Sequence, residues 1–262
     1  MRGGLRNRRD YHAGIPQGST MGFGNKLMFA YLFNTGITLA EPTEVASEGS
    51  EEIEAVATLV KTWADSGPGG KNATQATAEN MPRQANDKSI EFFHHSDNAD
   101  SADYMSFSSF LVSASTPFMS FIVCDLDDTS TSCYLSQQGT EVLQYTSGSQ
   151  HQLKTGVTSN MTHSGTFTIS NSEKHLFVVE RDASDNIFLY KNGLKHDPST
   201  TNNGNFDFQY LGVKNNPGAQ TNWFDGKMYD VIFIDGEQDS FKRKKIEDYL
   251  LKKHKLQRLG NG

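Results

Sequence analysis

The stretch from Phe224 to Leu256 constrains this chain most. Residues 228–234 (Met-Tyr-Asp-Val-Ile-Phe-Ile) form an almost unbroken apolar and aromatic run, opened by Asp225-Gly226 and closed by Asp235-Gly236. A strand that is apolar at both odd and even positions has both faces covered, which places it near the middle of a sheet. Beyond it the period changes. Ile246, Tyr249, Leu250 and Lys253 share one face of a helix whose other positions are mostly charged. A buried strand and then a short surface helix close the fold.

The rest of the chain reads as all-β. Its 262 residues allow one large β domain or two ordinary ones, and length alone does not choose. Only 35% are hydrophobic, yet 17 Phe and 9 Tyr supply apolar area enough for a sizeable core. Long helical patterns are missing, and Gly, Ser, Thr and Asn punctuate short apolar or alternating runs. Such runs fall at 27–33, 89–93, 104–107, 118–124, 134–135, 141–145, 166–169, 175–181, 187–190 and 206–212. Asn192-Gly193 is the strongest turn signal, because a two-residue type I′ turn needs positive φ at both positions. Roughly eleven to fourteen strands result, which suits two packed sheets.

Three segments carry a family likeness. The first is Trp63-Ala-Asp65-Ser-Gly67 followed by Asn72-Ala-Thr74-Gln75. The second is Arg181-Asp182 followed by Tyr190-Lys-Asn192-Gly193, and the third is Phe224-Asp225-Gly226 with its strand and helix. Together they resemble laminin-G-like, concanavalin A-like lectin-glucanase sandwich domains of the type found in structural proteins of tailed phages, cyanophages included. The resemblance implies a two-sheet jelly roll with a short C-terminal helix over residues 23–262, after an extended arm at 1–22. Within it Trp63 plugs the end of the core, glycines such as Gly67 permit a tight turn, and Asp65 and Asn72 bond their own backbone. These residues belong to the scaffold and say little about ligand.

Charge is unevenly placed. Arg2, Arg6, Arg8 and Arg9 give the first nine residues +4, and residues 242–258 carry +6; a whole-chain charge of −7 leaves −17 for the rest. So acidic a body does not bind nucleic acid along its surface. The basic arm, with Tyr11 and Ile15 as anchors, is a candidate for docking on an acidic neighbour, another copy included. In the helix, Asp239 is a good N-cap, but Lys242 stands where an acid completes a capping box, and Lys242, Arg243, Lys244 and Lys245 crowd the positive end of the dipole. The charges are either solvated or used in a contact.

Most catalytic signatures are missing. There is no Glu-x-Asp-x-Glu strand of sandwich glycosidases, no Gly-x-Ser-x-Gly elbow, no phosphate-binding glycine loop and no paired-cysteine zinc motif. The adjacent His94 and His95 point to opposite faces of a strand, and the glutamates at 41, 44, 48, 51, 52 and 54 read as a solvated run. Asp125, Asp127 and Asp128, on a loop expected at 125–132, are weak candidates for calcium against the plainer reading of an exposed turn. Cys124 and Cys133 flank that loop and could face each other across a hairpin. The sequons at Asn72 and Asn160 are idle without secretion.

No apolar run reaches membrane-spanning length, and no export signal is visible. The leading expectation is therefore a non-enzymatic virion protein of a tailed phage, made in the host cytoplasm. It would be a capsid decoration, fibre or tail component, present in many copies among other virion proteins, with host-surface glycan as a further ligand. A stand-alone carbohydrate-binding lectin is the alternative, and a glycan hydrolase follows behind it.

Overall fold

The computed structural model describes residues 27–32, 36–40, 59–93, 102–127, 131–137, 141–146, 150–154, 160–164, 169–216, 219–236 and 240–260. Two antiparallel sheets, a two-stranded hairpin and a C-terminal helix account for them. The middle of the first, eight-stranded sheet is β19 (Gly226–Asp235). Along one edge it pairs with β8 (Phe118–Leu126), and along the other with β6 (Ser89–Phe92) and β1 (Leu27–Leu32). Beyond β8 come β13 (His175–Arg181), β14 (Asn186–Lys191) and β15 (Leu194–Thr201), and beyond β6 comes β5 (Arg83–Ala85).

The second sheet has nine strands. In spatial order these are β12 (Asn160–Ser164), β11 (Gln150–Lys154), β10 (Val142–Thr146), β9 (Ser132–Ser136), β16 (Phe206–Leu211), β7 (Met105–Val112), β4 (Ala73–Thr74), β3 (Val60–Trp63) and β2 (Ile37–Leu39). The hairpin is β17 (Lys214–Asn216) with β18 (Ala219–Thr221), and the helix is α1 (Ser240–His254).

The apolar run in β19 serves two layers. Met228, Val231 and Phe233 enter the core between the sheets, with Trp63, Phe110, Phe118, Tyr134 and Phe177. A bulge between Met228 and Asp230 shifts the phase, so Tyr229, Ile232 and Ile234 face the other way, onto Ile246, Leu250 and Leu251 of α1. That second layer is why the strand lacks a polar face.

Polar groups pin the helix to the sheet. Buried Asp230 accepts from Lys253 Nζ at 2.8 Å and lies 2.6 Å from His254 Nε2. Arg243, one of the basic residues crowding the helix start, is not solvated. Its guanidinium pairs with buried Glu247, stands 3.8 Å over the Tyr190 ring, and brings Nε within 3.3 Å of Glu180 as a charge contact rather than an aligned hydrogen bond. Arg181 ties the far end together by donating to the carbonyls of Ser113, Thr116, Asn202 and Gly204.

Several expectations are corrected. The described residues contain nineteen strands, more than the sequence patterns suggested, because segments as short as Ala73–Thr74 and Lys214–Asn216 carry no pattern. Asp125 lies inside β8, not in a loop. β8 and β9 do not make a hairpin: β13 and β19 occupy both edges of β8, so the chain crosses to the second sheet, where β9 pairs with β10 and β16. Cys124 and Cys133 are accordingly apart, both buried and both free thiols.

Candidate functional site

Three aromatic side chains leave the main core and gather outside the second sheet. Each is the neighbour of a core residue: Tyr104 precedes Met105, Tyr210 precedes Leu211, and Trp223 precedes Phe224. Successive side chains of extended backbone point to opposite faces, so burying the second of each pair turns the first outward. The three rings converge with Ala102 and Val213 in a cluster of their own, Tyr104 lying 6.3 Å from Tyr210 and 6.4 Å from Trp223 between ring centroids. Both tyrosines are half-buried.

The backbone around this cluster is held firmly. Tyr104 N donates to Asn80 O, and its carbonyl accepts from Gln75 Nε2 at 3.1 Å. Asn222, beside Trp223, reaches Gln144 Oε1 through Nδ2 at 3.0 Å, while its carbonyl accepts from Cys133 N. Phe224 N donates to Gly212 O, and Ser136 Oγ donates to Val213 O at 2.6 Å. Tyr104, Tyr210 and Asn222 are the partly exposed members of this group, and buried Trp223 backs the two tyrosine rings from inside.

Asp103 borders the cluster. Its Oδ2 accepts from Phe93 N at 3.0 Å, and burial raises its carboxyl to about 7 despite that bond, with Asp225 and Glu91 adding to the rise and Arg83 opposing it.

The residues singled out in the sequence lie elsewhere. Trp63 is fully buried in the core. Asp65 accepts from Gly67 N at 2.7 Å and Lys71 N at 3.0 Å, and Asn72 accepts from Asp65 N at 3.0 Å, closing one compact loop. Asn192 and Gly193 both have positive φ, 48° and 81°, and link β14 to β15. Asp225-Gly226 opens β19, where Gly226 at φ 139° lies so close to Asp125 O that a Cβ would stand 2.3 Å from it.

Asp125 is spoken for: Oδ1 accepts from Lys227 N, and Oδ2 lies 2.9 Å from the Tyr229 hydroxyl. Asp127 accepts from Ser172 Oγ at 2.8 Å. Among the described residues no three His, Cys, Asp or Glu side chains gather as a metal site, and Asp128 lies outside them. Also outside them are Arg2, Arg6, Arg8, Arg9, Tyr11, Ile15, the 41–54 glutamates, His94, His95 and Asp239.

The aromatic cluster escaped the sequence reading for a physical reason. Plain alternation through Phe206-Asp-Phe-Gln-Tyr places Tyr210 in the core with Phe208. A bulge between Phe208 and Tyr210 reverses it.

The sequence matches no family profile and no curated protein. Solved structures do resemble the fold. A structure of botulinum neurotoxin type C, described through its interaction with two ganglioside molecules, superposes at a TM-score of 0.52 and 8% identity, over 86% of this chain and 51% of that one. The binding domain of botulinum neurotoxin DC in complex with SialylT gives 0.51 at 10% identity, over 88% and 52%. This chain thus has the fold of a two-sheet, jelly-roll β-sandwich. It spans about half the length of those two chains. The NanB sialidase from Streptococcus pneumoniae superposes at 0.41 over 49% of this chain, too loosely to bear on chemistry. Among the described residues no helix is long and apolar enough to cross a membrane.

Proposed function

We propose that this chain is a non-catalytic carbohydrate-binding module that takes a sugar against Tyr104, Tyr210 and Trp223. The observation that carries this reading is the aromatic cluster outside the second sheet, flanked by Asn222, Gln144 and Gln75. Sugar rings offer apolar C–H faces to aromatic planes and hydroxyls to amides; the half-buried Tyr104 and Tyr210 rings and Asn222 are the groups placed to meet them. The likeness to toxin binding domains, two of them described with a ganglioside or SialylT, supports the same direction.

Binding is independent of calcium in this reading, since Asp125 and Asp127 already serve Tyr229, Lys227 and Ser172. The virion role expected from the sequence draws on the family resemblance, the lack of a visible export signal and the basic arm, and the comparisons supply no phage link. The lectin-like reading therefore leads.

The test is a glycan array probed with the full-length protein, followed by calorimetry on the best ligand with and without chelator. Tyr104→Ala and Tyr210→Ala, at the two half-buried rings, should each weaken binding about tenfold while circular dichroism stays that of the folded sandwich; buried Trp223 is left in place. An array without specific ligands, or variants that bind as tightly as the parent, would overturn the proposal.

A further inference from the structure

At the end of the first sheet nearest the helix C-terminus, one phenol stands between two carboxylates. Tyr229 Oη lies 2.8 Å from Asp87 Oδ2 and 2.9 Å from Asp125 Oδ2. A phenol carries one hydrogen, so it can donate to only one of them. The other contact is favourable only if that carboxyl brings a proton of its own. Asp125 is buried within β8, while Asp87 is exposed on the turn between β5 and β6.

We propose that a proton held on Asp125 completes a chain from Asp125 through Tyr229 to Asp87, latching the β5–β6 hairpin onto the sheet, and that losing this proton frees the hairpin. Burial raises the Asp125 carboxyl above its ordinary range. Burial also acts upward on Asp87, but bonds from Ser89 and Tyr229 and the charges of Lys227 and Lys174 outweigh it and hold Asp87 low. Both shifts favour the proton on Asp125 over Asp87. With the proton gone, two anions compete for one hydroxyl, and the exposed partner is the one able to move.

The surrounding groups do not replace the proton. Lys227 Nζ is 3.6 Å from Asp87 and 3.8 Å from Glu91, and Lys174 Nζ lies over the Tyr229 ring at 3.6 Å. Asp127 is bonded to Ser172. From the helix, His254 meets the Tyr229 ring edge-on at 5.5 Å between centroids, and it is engaged with Asp230, as is Lys253. The hairpin matters to the whole sandwich because it also touches the second sheet: Arg83 bridges to Leu59, and Val60 N donates to Pro82 O.

Amide hydrogen exchange on the full chain, expressed as protection factors between pH 4 and pH 8, tests the latch. Protection of the β5 and β6 amides should fall about tenfold relative to β13 as pH rises. Asp125→Asn carries an N–H toward Tyr229 at every pH, so its protection should stay high and flat; Tyr229→Phe should be low throughout. His254→Gln should keep the wild-type step. A flat wild-type profile, an Asp125→Asn profile that steps like the parent, or loss of the step in His254→Gln would each overturn the proposal. The Asp125→Asn comparison decides the matter even if Tyr229→Phe fails to fold.

Discussion

Asp103 and His175 are buried side chains that pull stability in opposite directions with pH. Burial raises Asp103 from 3.8 to about 7, so the folded state keeps a proton that the unfolded chain gives up. Its contribution is lost as pH climbs from about 4 to about 7. His175 is lowered from 6.5 to about 4, again chiefly by burial, and its contribution is lost as pH falls through that interval. Asp103→Asn should therefore match the parent at pH 4 and exceed it at pH 8, on the order of 2 kcal/mol or about 4–8 °C in thermal melts. Equal melting temperatures at pH 8 would count against the burial argument. This is also the scale at which sequence says least: nothing in Ala-Asp-Tyr announces a buried acid, and the Phe208–Tyr210 bulge hid the aromatic site.

Elements are held by a few polar clips whose loss has named consequences. Arg181 fills the joint between the β7–β8 turn and the β15–β16 connection, giving its hydrogens to four carbonyls. Arg181→Ala should lower stability by about 3 kcal/mol, since the carbonyls of Asn202 and Gly204 stay buried without their donor. Arg181→Lys should recover only part of this, because an ammonium cannot reproduce the planar fork; denaturant titration would rank the three proteins. At the helix, Asp230→Ala leaves Lys253 and His254 without their buried acceptor and should cost about 3 kcal/mol. Retained stability in Asp230→Ala would mean that the apolar layer of Ile246, Leu250 and Leu251 alone seats α1. Here the sequence was more informative. The helix face was readable from its period, and Arg243 shows that charges set against a dipole were serving an internal contact.

At the scale of the molecule, the class of fold was legible because aromatic-rich strands and Asn192-Gly193 speak locally, whereas pairing is a long-range choice. A short link after a strand suggests a hairpin, and 118–126 followed by 132–136 looks like one. Only the three-dimensional neighbours of β8 reveal that both its edges are taken. The same separation predicts thiol behaviour. Burial pushes both thiols up, and Cys124 lies against the His175 ring inside the core. A thiol-specific probe should label the native protein only at its global unfolding rate, and mild oxidants should not join the two cysteines. Rapid stoichiometric labelling without loss of circular dichroism would contradict that arrangement.

The central strand of the first sheet is the last of the described strands to be synthesised. Until residues 226–235 emerge from the ribosome, β8 and β6 lack the neighbour that joins them, and the helix that covers their outer layer is later still. Assembly of this sandwich must then wait until residues 226–235 have left the ribosome, and a nascent chain stalled before β19 carries unpaired strand edges to whatever chaperone or aggregate meets it first.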